Sequence, residues 1–377
     1  MIRNLIAADI SSNDDCNSGY RDGKKQRVCS HHTGIGRSVT IHAGSVLNFC
    51  PQKFHWRNIL IQKFLVACLS LLPFFAFSEA RVFEFSYEVK SLNLPPGQTI
   101  DIYVPLPVID DSQQIIEENL FSSLPGTEGI EAVYGNRYYR VSRAPENNEP
   151  IDLKLKWTVS RKVQEAGGTK EFSNKDAELY LKPNEKVPVG HQVLNPILAE
   201  IYAMRTDDSA DATSRAIYDW VVDNVEYKKI GTGWGNGDTF WACNERYGNC
   251  TDFHALFISL ARTEGIPARF EIGFPVPEDR AAGVIGGYHC WVEFYLPGIG
   301  WVPIDASEAA KHPEKKELFY GTHPADRIHF SSGRDLAISE TAAAKPLNYF
   351  IYPYVEVDGR PSNIQLETRF SYRELDF

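Results

Sequence analysis

The chain has 377 residues, 43% apolar and 23% charged, with a formal net charge of −10, which are the proportions of a folded, water-facing protein and exclude a disordered or mostly membrane-embedded one. Residues 1–80 carry nine Lys/Arg against five Asp/Glu, while the remainder carries 30 against 44. So acidic a remainder argues against nucleic-acid binding, which needs a cationic face.

In chain order, residues 1–56 are polar and lack sustained periodicity. They are expected to be a non-structured or spurious N-terminal extension, with the true start nearer residue 57. Only Met1 and Met204 are present, so such a start would use a non-Met codon. Residues 57–80 predict a signal peptide. Lys53, Arg57 and Lys63 precede the apolar run Phe64–Phe77 (FLVACLSLLPFFAF), and small residues suited to cleavage after Ser78 or Ala80 follow. The run is short for a membrane span. Leu65-Val66-Ala67-Cys68 has the letters of a lipoprotein box, but most of the apolar stretch follows the cysteine instead of preceding it. The expectation is a periplasmic or secreted protein with no integral membrane span after processing.

Residues 81–165 predict strands. Phe83–Val89, Ile100–Val104, Tyr138–Val141 and Leu153–Val159 are short, alternating or aromatic-rich runs separated by turn signals, as in a small Ig-like β-sandwich acting as an accessory domain. Residues 166–190 read as a connecting arm. Helical periodicity follows in Ala216, Ile217, Trp220, Val221 and Val225, with Asp207, Asp208 and Ser209 as candidate caps. A second helix is predicted from about Cys250 to Glu264, with Gly265 as its stop and Pro267 beyond. Strands are predicted over Ala268–Phe274, Gly287–Leu296 and Trp301–Ile304, and residues 336–377 form a strand-rich extension.

Three residues carry candidate chemistry. Cys250 sits at the first turn of its helix, where the macrodipole favours a thiolate, and Gly248 permits a tight entry. His289 lies on one strand and Asp305 at the end of the next, with the turn Pro297-Gly298-Ile299-Gly300 between them. An antiparallel hairpin then puts the two side chains opposite or one diagonal step apart. The carboxylate there fixes the imidazole tautomer and stabilises the imidazolium. Cys290 is expected on the other face of the strand.

The runs Gly248-Asn249-Cys250-Thr251-Asp252-Phe253-His254, Gly265-Ile266-Pro267-Ala268-Arg269, Tyr288-His289-Cys290-Trp291 and Gly300-Trp301-Val302-Pro303-Ile304-Asp305-Ala306 together resemble the bacterial transglutaminase-like superfamily, over roughly residues 195–330. The resemblance implies an α+β, papain-like core, here a catalytic domain over 191–335. It also implies a Cys-His-Asp triad of Cys250, His289 and Asp305 that forms a thioester from a peptide or protein amide. The oxyanion would be met by the Cys250 N–H and a second donor, with Trp241 and Asn244 the candidates. Hydrolysis is favoured over cross-linking, because water needs no acceptor site. The alternative is a catalytically silent binding or assembly module on the same fold.

No metal or other cofactor is expected. Of seven cysteines, Cys16, Cys29, Cys50 and Cys68 would be lost on processing, and the odd number remaining leaves at least one free thiol. Cys243 and Cys290 are open to two readings, a disulfide in an oxidising compartment or small buried hydrophobes. His254 is given no catalytic role.

Overall fold

The computed structural model describes residues 80–375 apart from 92, 148, 168–171, 340 and 342–344, all within the unit Phe74–Phe377. The expected extension, and the leader up to residue 79, lie outside them. Six strands come first: β1 (Arg81–Ser91), β2 (Ile100–Pro105), β3 (Gln113–Ser122), β4 (Gly126–Ile130), β5 (Arg137–Arg143) and β6 (Asp152–Arg161). After the short β7 (Gln164–Glu165) come helices α1 (Asn174–Leu181), α2 (Asn195–Met204) and α3 (Ala210–Asn224), and then β8 (Glu226–Tyr227). Next are α4 (Thr239–Glu245), β9 (Tyr247–Gly248), α5 (Cys250–Thr263), β10 (Ala268–Pro275), β11 (Ala282–Ile285), β12 (His289–Leu296), β13 (Gly300–Ile304) and α6 (Ala306–Lys311). Strands β14 (Thr322–His323), β15 (Arg327–Ser332), β16 (Tyr354–Val357), β17 (Arg360–Pro361) and β18 (Leu366–Glu374) complete the described chain.

Three larger sheets result, all antiparallel. Two have five strands, in the orders β11-β18-β1-β6-β3 and β17-β16-β2-β5-β4, and the third is β13-β12-β10-β15. The first two draw on both ends of the described chain: β18 pairs with β1 over nine residues from Phe83↔Glu374 to Ser91↔Leu366, and β16 pairs with β2. The segment read from sequence as a C-terminal extension thus supplies strands to both sheets. β3 and β4 are additional strands that the sequence reading passed over. Both are sheet-edge strands, and only Gln113 of β3 is fully buried. The Glu-rich QQIIEENLFS suits an exposed edge but lacks the apolar alternation that marks a strand. Within the expected connecting arm, Ser173 caps α1 in a capping box with Asp176.

The first sheet is welded to the third by aromatic side chains. In β1 the inward residues Phe83, Phe85, Tyr87 and Val89 are wholly buried, as period-two alternation requires. Phe85 lies 5.4 Å from Phe274 of β10 and 5.5 Å from Phe330 of β15, and Phe330 meets Trp157 edge-on at 5.6 Å. Such pairs contribute roughly 0.5–1.5 kcal/mol each beyond area burial. They hold β15 and β10, the latter the neighbour of β12, against a rigid backing. A bulge at Ile272/Gly273 interrupts the β10–β15 pairing. A Cβ at Gly273 would lie 1.8 Å from the Ile328 carbonyl oxygen, so only glycine lets β15 approach there.

Next to that bulge, His329 is buried between two carboxylates. Its Nε2 is ion-paired with Glu271, and its Nδ1 lies 3.8 Å from Asp110, which precedes β3. Glu271 also accepts from Ser332 Oγ at 2.6 Å and faces Arg269 at 2.9 Å. Burial disfavours the imidazolium, but Glu271 and Asp110 outweigh it and lift His329 to about 9. A raised folded-state value stabilises fully below the ordinary 6.5 and is lost as pH rises through about 9. The shift corresponds to about 3 kcal/mol. Melting temperature should therefore fall more steeply from pH 6.5 to 10 in the native protein than in His329→Gln, the two curves converging near pH 10. Parallel curves would contradict this.

Candidate active site

Helix α5 begins on a capping box. The Asn249 side-chain oxygen accepts from the Thr251 N–H at 3.0 Å, and Asp252 accepts from the Asn249 N–H at 3.0 Å. Asp252 also takes the Gly235 and Gly237 N–H groups at 2.7 and 3.0 Å, pinning the Gly-rich loop before α4 to the helix. This explains Gly248, since a Cβ there would lie 2.3 Å from an Asp252 carboxylate oxygen. Cys250 is thereby fixed as the first residue of a helix whose leading N–H groups lack intrahelical acceptors. It is 2% exposed.

The structure brings all three expected residues together. His289 Nε2 lies 2.6 Å from Asp305 Oδ2. The β12–β13 register pairs Val292 with Ile304, so its continuation puts residue 291 opposite Asp305 and His289 one diagonal step away. Asp305 also caps α6. Its Oδ1 accepts from Ser307 Oγ and the Glu308 N–H, each at 3.0 Å, and its Oδ2 accepts from Arg327 Nη1 at 3.2 Å. With Nε2 engaged by Asp305, Nδ1 is left as the His289 nitrogen for the Cys250 sulfur.

These contacts set the charges. Burial opposes a Cys250 thiolate, but hydrogen bonds from Cys290 and His289 and the charge of His289 outweigh it and bring its pKa to about 5. Burial likewise opposes charge on His289, yet Asp305 and Cys250 raise it to about 10. Asp305 is fully buried, but His289 and Arg327 hold it well below the carboxylate range. These shifts favour a thiolate beside an imidazolium, an arrangement that can attack a carbonyl carbon and protonate a leaving amine.

Cys290 packs against α5. Burial and the neighbouring Cys250 thiolate raise its pKa well above normal, so it remains a thiol. Cys243, Cys250 and Cys290 are all free and buried. His254 lies with Nδ1 3.4 Å from Cys290 Sγ and Nε2 3.7 Å from Asp305. Burial lowers it to about 3, so it is neutral. The candidate oxyanion donors are placed differently from the triad. Trp241 gives its indole N–H to the Tyr247 carbonyl at 3.0 Å, and Asn244 is exposed on the last turn of α4. His289, Asp305 and Glu308 bring ligand atoms within 4.8 Å of one another. Both Asp305 oxygens are already taken by donors, so the group reads as a hydrogen-bond net and not a cation site.

Sequence reasoning missed three contributors. Arg327 carried no local signal, because only the fold brings β15 to Asp305. Tyr288, adjacent to His289, accepts from Asn249 Nδ2 at 3.0 Å. Asp252 was legible as the third residue after the cap.

Residues 197–306 match the model of the transglutaminase-like superfamily. An uncharacterized protein of Haemophilus influenzae is 27% identical over 342 residues, spanning 78% of this chain and 91% of that protein. The uncharacterized protein YebA of Bacillus subtilis is 32% identical over 77 residues, 18% of this chain and 10% of YebA. The crystal structure of a candidate cysteine protease from Cytophaga hutchinsonii superposes with a TM-score of 0.53 at 20% identity, covering 80% of this chain and 92% of that one. That likeness establishes a common fold. Among the described residues, no helix is long and apolar enough to cross a membrane.

Proposed function

We propose that this is an exported thiol-dependent acyl-transfer enzyme that cleaves peptide or protein amides through Cys250, His289 and Asp305. The observation that carries this reading is the placement of Cys250 at the start of its helix beside a His289 whose Nε2 lies 2.6 Å from Asp305, an arrangement whose charges favour a thiolate and an imidazolium. Cys250 attacks the amide carbonyl carbon and His289 gives its proton to the departing amine. Water, deprotonated by the same imidazole, then releases the acid from the thioester. Hydrolysis is favoured over transamidation because water needs no binding site of its own. Export rests on the basic-then-apolar run ending at Phe77. The rival reading, a silent binding or assembly module, draws on the 2% exposure of Cys250.

Incubation with a complex peptide mixture and dansylcadaverine, read by mass spectrometry, separates these readings. The expected result is new peptide termini or deamidated glutamines that vanish in Cys250→Ala. Amine incorporation exceeding hydrolysis would reverse the preference for water. The absence of any Cys250-dependent product would favour the binding module.

A further inference from the structure

We propose that the Tyr288 hydroxyl is the second oxyanion donor, completing with the Cys250 N–H a hole for the tetrahedral intermediate. This deepens the proposed function and rests on Cys250 being the acyl-accepting nucleophile. The Asn249 side chain has a single orientation. Its Oδ1 takes the Thr251 N–H at 3.0 Å and the Thr251 hydroxyl at 2.6 Å, so Nδ2 must be the atom that donates to Tyr288 Oη at 3.0 Å. The phenolic oxygen is therefore an acceptor in that bond, and its own proton, which at rest faces the Tyr349 oxygen, can turn to an oxyanion by rotation about the C–O bond.

Position supports the role. Tyr288 precedes His289 in the chain and its hydroxyl is bonded to the residue preceding Cys250, so it bridges the two strips of backbone that carry nucleophile and base. Its ring is held by Tyr349 at 5.7 Å and Tyr352 at 5.9 Å. Tyr349 is in turn fixed to the Gly235 carbonyl at 3.1 Å. A donor held this firmly needs little reorganisation when charge develops. Burial, and then the Cys250 thiolate, raise the Tyr288 pKa, so the phenol keeps its proton at any working pH. The capping box occupies the N–H groups of Asn249 and Thr251 but leaves that of Cys250 for the same oxyanion. Trp241, by contrast, has its indole N–H committed to Tyr247.

In the step itself the Cys250 sulfur forms a bond to the carbonyl carbon, and the C=O π pair moves onto oxygen. That oxygen accepts hydrogen bonds from Cys250 N–H and Tyr288 O–H. The pair then returns to re-form C=O as the bond to the leaving group breaks, and His289 supplies the leaving group's proton. Tyr288 gains and loses no proton.

The test uses Tyr288→Phe, which keeps the ring packing and removes only the hydroxyl, and two reactions of Cys250. Acylation by p-nitrophenyl acetate passes through an oxyanion, whereas alkylation by iodoacetamide does not. The variant should lose about 10²–10³-fold in the acylation burst rate at saturating ester, while its alkylation rate stays within about threefold of the native protein. A native-like burst would overturn the proposal. So would equal slowing of both reactions, which would mean that Tyr288 acts through the thiolate. Failure of the underlying functional reading is distinguishable, since it appears in the native protein as ordinary-thiol alkylation and no Cys250-dependent burst, and it removes this proposal too.

Discussion

Replacing Arg327 with methionine is expected to cost about 3–5 kcal/mol of stability, the range for removing one partner of a buried ion pair. Arg327 is 2% exposed, donates to Asp305 Oδ2 at 3.2 Å, and stacks on Trp291 with its guanidinium carbon 5.0 Å from the ring centroid. Methionine fills much of the volume, so the loss is chiefly that of the charge. Asp305 is 0% exposed and would then depend on His289, Ser307 and the Glu308 N–H alone. Chemical denaturation reads the effect. Asp326, the other partner of Arg327 at 3.2 Å, is 37% exposed, and Asp326→Asn should cost less than about 1 kcal/mol. A small effect of Arg327→Met would mean that the Asp305 charge is balanced in another way.

His289→Ala should have the largest effect on chemistry. Loss of a positioned acid–base group costs about 10²–10⁴-fold in turnover, measurable with any substrate found in the peptide screen. Its effect on the thiol is smaller, and the reason is instructive. At pH 6 a thiol of pKa about 5 is roughly 90% thiolate, whereas one restored to its ordinary value of 9.0 is about 0.1% thiolate. A more basic thiolate is also intrinsically more nucleophilic, with a Brønsted slope of about 0.4–0.5, so much of that difference is offset. Iodoacetamide labelling of Cys250 at pH 6 should therefore fall about 10- to 20-fold in the variant. An unchanged rate would remove His289 as the source of activation.

The juxtaposition of Cys250, His289 and Asp305 was legible in the sequence because each residue's position is set by local rules. Cys250 follows a capping box and opens a helix, and a short hairpin brings His289 and Asp305 within one diagonal step. What surrounds them was not legible, because it arrives from far along the chain. Arg327 reaches Asp305 from β15, 22 residues away, and Tyr349 reaches the Gly235 carbonyl across 114 residues. The same holds for the fold. β1 and β6 were visible as alternating runs, but nothing in either names β18 as the next neighbour of β1, since that pairing spans nearly the whole described chain. Trp241 illustrates the opposite failure. It is the right residue type in the right region, yet its N–H is consumed by Tyr247, a commitment that only the three-dimensional structure reveals.

The proposed resting state is a Cys250 thiolate paired with the His289 imidazolium. Its most direct test is the rate of Cys250 alkylation by iodoacetamide from pH 4 to 10, mapped by mass spectrometry. The expected result is a rise centred near pH 5 and a plateau through neutrality, followed by a further change as His289 deprotonates near pH 10. A rate that climbs tenfold per pH unit to a midpoint near 9, as for an ordinary thiol, would contradict it.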